Sequence, residues 1–175
     1  MSSVKKGLGK VEVSLRWDPS PMGSPEHDLD IVAAAYTTGA GYADPEYVVH
    51  FDSRSPDGTI NLNRDSRTGQ GFGYDEVMTL EFDRLAATYT RVVVGVVIQQ
   101  NEDRKTFGDI ANTGVRIAEG YTELATSDLG EAAGGTAATI AEFTRDESGT
   151  WEFRFSIRGF DADPTTFTTQ LGALT

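Results

Sequence analysis

The sequence predicts an all-β domain, a two-sheet β-sandwich with short helical turns. Three observations carry this. About nine short segments either alternate apolar with polar residues or are rich in β-branched side chains. Gly, Pro, Asp and Asn punctuate the spaces between them. No stretch shows a long apolar stripe of helical period. Two sheets that cover each other's apolar faces are the expected architecture, with a closed barrel as the alternative.

Taken in order, Val11, Val13, Leu15 and Trp17 alternate with Glu12, Ser14 and Arg16, the period of a half-buried strand. Leu29, Ile31, Ala33 and Ala35 suggest a second strand, and Tyr47 to Phe51 a third. Ser55-Pro56-Asp57-Gly58 is a turn, because Pro presets φ and Gly accepts positive φ. Thr59 to Leu62 then reads as the return arm of a hairpin. Met78, Leu80 and Phe82 alternate with Thr79 and Glu81. Val92 to Ile98 is β-branched at nearly every position, which predicts a strand covered on both faces. Gly114 to Ala118, Thr136 to Phe143 and the regular alternation Trp151, Phe153, Phe155, Ile157 complete the set. Short helical turns are expected at Leu85 to Thr88, at Phe107 to Asn112 and in the last dozen residues. Residues 1–160 are read as one domain and residues 161–175 as a loosely held tail.

Composition narrows the function. The 175 residues are 38% hydrophobic and 24% charged, suited to a globular domain that needs no staples. There is no cysteine, which excludes disulfides, thiolate metal sites and thiol catalysis. The net charge of −12 disfavours nucleic acid and anionic membranes as partners. No apolar run of 7–15 residues follows Lys5, Lys6 and Lys10, so no secretory signal is expected and the cytoplasm is the expected compartment. Val92 to Ile98 is far short of a membrane span. Residues 18–76 hold eleven acidic and three basic side chains, an excess that either solvates a surface or awaits a cation.

Two segments carry candidate chemistry. Asp28-Leu29-Asp30 places carboxylates at i and i+2, about 6–7 Å apart on one side of a strand. Alone, such a pair reads as surface. Asp65-Ser66-Arg67-Thr68-Gly69-Gln70-Gly71-Phe72-Gly73-Tyr74-Asp75-Glu76 alternates three glycines and is bracketed by oxygen-bearing side chains. A curled backbone offering carbonyls and carboxylates suits calcium, which takes six to eight oxygen ligands. The segment lacks EF-hand spacing, and it fits no phosphate-binding glycine pattern. A glycine-rich surface loop without a ligand is the alternative.

The succession Trp17-Asp18-Pro19, Asp28-Leu29-Asp30, Ser55-Pro56-Asp57-Gly58 and Asp65 through Glu76 resembles the TerD family of tellurium-resistance and stress proteins. Gln100 to Phe107-Gly108, Asn112, Tyr121-Thr122-Glu123-Leu124, and Arg145 with Trp151 and Phe153 extend the likeness over roughly residues 8–160. The resemblance implies a cytoplasmic, non-enzymatic β-sandwich that binds one or two calcium ions and works with other tellurium-resistance-type proteins. Asp28, Asp30, Asp65, Ser66, Thr68, Gly69, Asp75 and Glu76 are then the expected metal ligands. Within the oxygen donors, Thr68, Ser66, Gln70, Asp52 and the loop carbonyls are second-tier. This chain departs from the family loop at Arg64, Ser66, Gln70, Phe72 and Tyr74. Fewer carboxylates predict a weaker second ion, or a single ion. Two other functions compete: an interaction domain with a degenerate metal site, pointed to by Phe72 and Tyr74, and a hydrolase using Asp75 and Glu76 as paired carboxylates. Without a thiol, direct chemistry on tellurite is not expected.

Overall fold

The alternation in residues 11–17 becomes β1 (Lys10–Arg16), which buries Val11, Val13 and Leu15 and turns Glu12 and Arg16 to solvent. The computed structural model describes residues 7–37, 44–64, 68–69, 73–100 and 103–173. These hold β2 (Leu29–Thr37), β3 (Tyr47–Val49), β4 (Ile60–Arg64), β5 (Glu76–Glu81), β6 (Tyr89–Ile98), β7 (Gly114–Glu119), β8 (Thr122–Ser127), β9 (Ala137–Arg145), β10 (Trp151–Phe160) and one α-helix, α1 (Pro164–Gln170). The strands form two antiparallel five-stranded sheets, ordered β4-β5-β1-β7-β8 and β10-β9-β6-β2-β3. The fold is the expected all-β sandwich.

The core lies between the sheets. It joins Val11, Val13, Leu15, Met78, Leu80 and Ile117 of the first sheet to Leu29, Ile31, Val92, Val94, Val96 and Ile140 of the second. β6 sits at the centre of its sheet and is covered on both faces, as its composition predicts. Its other face, with Val93 and Val97, packs with Val32, Ala34 and Tyr36 beneath Phe167 and Leu171 of the C-terminal segment.

That last contact differs from expectation. Residues 164–173 form α1 and a following 3-10 turn, and Phe167 and Leu171 are fully buried. The helix is locally specified. Asp163 caps it, accepting from the Thr166 amide at 2.9 Å, and Pro164 fits the first turn where no amide partner is needed. Arg91 anchors its far end, with Nη2 2.6 Å from Glu142 Oε2 and donating to the Gly172 carbonyl at 2.9 Å.

The expected hairpin of residues 47–51 and 59–62 does not form. β3 pairs with β2 in one sheet, while β4 pairs with β5 in the other. The turn between them is present, held by Asp57, which accepts from the Ser55 hydroxyl and from the Thr59 amide and hydroxyl. It passes the chain across the sandwich, and Ile60 then enters the shared core from the other sheet. The 3-10 turns lie at Phe82–Arg84, Phe107–Asp109 and Gly130–Ala132.

Candidate metal centre

Antiparallel register brings the first element of the site together. Leu15 of β1 lies opposite Glu76 of β5, so the end of β1 and the start of β5 share one end of the sandwich. Beyond that pair the Asp75 amide donates to the Leu15 carbonyl at 2.8 Å. The Asp75 side chain then turns back, and its Oδ2 accepts from the Trp17 amide at 2.8 Å. A carboxylate thereby completes the ladder where the strands part.

Glu76 takes the inward phase of β5, with Met78 and Leu80, and is fully buried. Its Oε1 accepts from the Ile31 amide at 2.8 Å, so it reaches the backbone of the opposite sheet. Asp30, also at this end, is 2% exposed, and its Oδ2 accepts from Gln99 Nε2 at 2.7 Å. β2 begins at Leu29, so Asp28 lies just before the strand. It is half-buried, and its carbonyl accepts from the Gln99 amide at 2.8 Å. Asp30 shares the phase of Val32 and Ala34, opposite to that of Ile31 and the main core.

The glycine loop meets this end through Trp17. Gly69 is buried at φ +74°, and a Cβ there would stand 2.5 Å from Trp17 Nε1 and 2.8 Å from the Trp17 carbonyl. Only glycine allows this approach. Trp17 is fixed in turn by Nε1, which donates to the His27 carbonyl at 2.7 Å. Thr68 is half-buried beside Gly69. Asp65 and Ser66, with second-tier Gln70 and the aromatic Phe72, lie outside the described residues. Arg16, Trp17, Asp18, Pro19, Gly73 and Asp75 help line a cleft of about 440 Å³, closed on one side by Asn112, whose Nδ2 donates to Asp18 Oδ2 at 2.7 Å.

The structure thus gathers Asp28, Asp30, Thr68, Gly69, Asp75 and Glu76 around one end of the fold. Among the described residues, no three acidic or histidine side chains converge closely enough to hold an ion by themselves. Burial holds the pKa of His27 below its ordinary value, with Lys105 adding to the effect, and burial lowers that of His50 as well. Both are therefore neutral near pH 7. The expected ligands offer only oxygen, which suits a hard cation such as calcium or magnesium. The structure adds residues that sequence reasoning did not single out: Gln99 on Asp30, the Ile31 amide on Glu76, and the Trp17 amide on Asp75. Gln99 carries no local signal, because its role depends on β2 and β6 being neighbours.

The TerD domain family model matches residues 1–170. The chain belongs to the TerD family. A solved structure, described as a homologue of telluride resistance protein (TerD) from Streptomyces coelicolor A3(2), superposes with a TM-score of 0.92 at 58% identity, covering 95% of this chain and 98% of that one. Tellurium resistance protein TerD of Alcaligenes sp is 29% identical over 161 residues, 88% of this chain and 82% of that protein. General stress protein 16U of Bacillus subtilis (strain 168) is 28% identical over 159 residues, 87% of this chain and 82% of its own length. The TerD family to which this chain belongs is thus one of tellurium resistance and stress response.

Proposed function

We propose that this TerD-family protein is a calcium-binding, non-enzymatic module of the cytoplasmic stress response, serving as a binding or scaffold unit for other tellurium-resistance-type proteins. The observation that carries the reading is the burial of three carboxylates, Asp30, Asp75 and Glu76, at 2%, 2% and 0% exposure, at one end of the sandwich. Burying an ionised carboxylate is costly. The donors from Gln99, Trp17 and Ile31 orient these carboxylates. A divalent cation supplies the opposite charge.

Asp75, Glu76 and Asp30 are the principal ligands in this reading, with Asp28, Asp65, Ser66, Thr68 and the Gly69 carbonyl completing an oxygen shell. The loop's own departures from the family pattern favour one ion, or a weaker second. A specific observation favours the competing reading of an interaction domain with a degenerate site: the described acidic side chains do not by themselves converge on an ion. Calcium titration by calorimetry at near-physiological salt, with elemental analysis of the purified protein, separates the two. Saturable heat and bound calcium support the module; a flat trace with no metal leaves the interaction domain.

A further inference from the structure

Gln99 follows β6 directly and is half-buried at the end of the sandwich that holds the acidic residues. Register explains its place. Val97 lies opposite Asp30, and Gln99 stands two residues beyond Val97, on the same face. Its Nε2 donates to Asp30 Oδ2 at 2.7 Å. Leu29 lies opposite Ile98, and one step further the Gln99 amide donates to the Asp28 carbonyl at 2.8 Å. One residue thus grips both members of the Asp28-Leu29-Asp30 pair, the first through its backbone and the second through its carboxylate.

Gln99 is itself held. The side chain of its neighbour Gln100 accepts from the Lys105 amide at 2.8 Å and donates to the Lys105 carbonyl at 3.0 Å, the two bonds that a paired strand residue would make. Arg104 adds a bond to the Gly134 carbonyl at 3.1 Å. The chain leaving β6 is therefore tied back beside Gln99. A carboxylate fixed in this way has little freedom to follow a shrinking ion. Calcium takes oxygen at about 2.3–2.6 Å in flexible shells, whereas magnesium needs about 2.0–2.1 Å in a near-ideal octahedron. Exchanging the first for the second asks each ligand to move inward by roughly 0.3–0.5 Å. On the calcium-binding reading above, we propose that Gln99 is a positioning residue that sets the cation class of the site: it holds Asp28 and Asp30 too stiffly to close on magnesium, and so favours calcium.

Calorimetry on the full-length chain gives the test, with calcium titrated directly and magnesium measured by its competition with calcium. Gln99→Met keeps the length of the side chain and removes its donor, while the backbone bond to Asp28 stays. It should weaken calcium by roughly tenfold or more, as loss of a group that orients a metal ligand does. Magnesium should be weakened far less, so the ratio of the two affinities should fall by roughly tenfold. Gln100→Met, which frees Lys105 and leaves the Asp30 contact in place, should not move that ratio. A merely structural role would weaken both cations alike and leave the ratio where it was. Melting in chelator checks that each variant folds, and Gln99→Asn, an amide too short for the same reach, takes the place of Gln99→Met if that variant does not. Equal affinities for the two cations in the unaltered chain, an unmoved ratio in the Gln99 variant, or an equal fall in Gln100→Met each overturn the assignment of selectivity to Gln99 and leave calcium binding standing. An unaltered chain that binds no calcium overturns the calcium reading, and the role of Gln99 with it.

Discussion

Glu76 of β5 accepts a hydrogen bond from the Ile31 amide of β2 at 2.8 Å, so a carboxylate from one sheet terminates in the backbone of the other. Two substitutions separate its roles. Glu76→Gln keeps an acceptor and removes the charge. Glu76→Ala leaves a buried amide without that acceptor, at a cost of about 1–3 kcal/mol. If the side chain is also a calcium ligand, both variants lose the calcium-dependent rise in melting temperature, and only the alanine variant loses stability in chelator. For the unaltered protein, calcium at 100 times Kd should add about 2.7 kcal/mol. Thermal melts with calcium and with chelator read both effects.

Gly69→Ala tests the seat of the glycine loop on Trp17. The new methyl would stand 2.5 Å from Trp17 Nε1 at a φ of +74°. Overpacking and left-handed strain each cost about 1–3 kcal/mol, so a loss of at least that order is expected. Denaturant unfolding measures it, and a shifted Trp17 indole resonance locates it.

Gly95→Ala tests the docking of α1. A methyl there would meet the Ala138 carbonyl oxygen and Phe167 Cζ, each at 2.7 Å. Phe167 can move only if the helix lifts, and the Ala138 carbonyl only if the β6–β9 pairing shifts, so both must give. A destabilisation of about 1–3 kcal/mol is expected. Faster amide exchange at residues 164–173 and in β6 and β9 around Gly95 and Ala138 would confirm the mechanism.

Acidification should release the same helix. The Thr166 amide and hydroxyl hold the Asp163 carboxyl below its ordinary value of 3.8. A depressed folded-state value means that the stabilisation is present above the unfolded value and is lost as pH falls through the native one. Amides in the first turn of α1 should therefore lose protection as pH falls below the ordinary value of 3.8, and Asp163→Asn should remove that pH dependence. Hydrogen exchange across that range measures it.

The sandwich was legible because its signals are local. The alternation around Val13 and the β-branched run Val92 to Ile98 each state how many faces a strand buries. β8 gave no such signal: Thr122 and Glu123 are exposed, and Leu124 and Ala125 only half-buried, at a sheet edge. The turn at Asp57 was readable, but the same turn chemistry serves a hairpin or a crossing between sheets. The acidic residues of the site were visible as types and spacing. Their supports were not, because Gln99 reaches Asp30, and Ile31 meets Glu76, only through tertiary neighbours distant in sequence. The C-terminal segment, rich in threonine, looked weakly apolar, yet two side chains, Phe167 and Leu171, suffice to hold it on an already covered strand.

β10 closes one margin of its sheet and alternates Phe153, Phe155 and Ile157, half-buried, with exposed Glu152, Arg154 and Arg158. Its register also shifts between Phe155 and Arg158. Charges and a kink of this kind keep an open strand from templating onto another chain. Neutralising Glu152, Arg154 and Arg158 together would turn that guarded border into a nucleus for fibrils, so the hydrophilic half of β10 protects colloidal health as much as it decorates the surface.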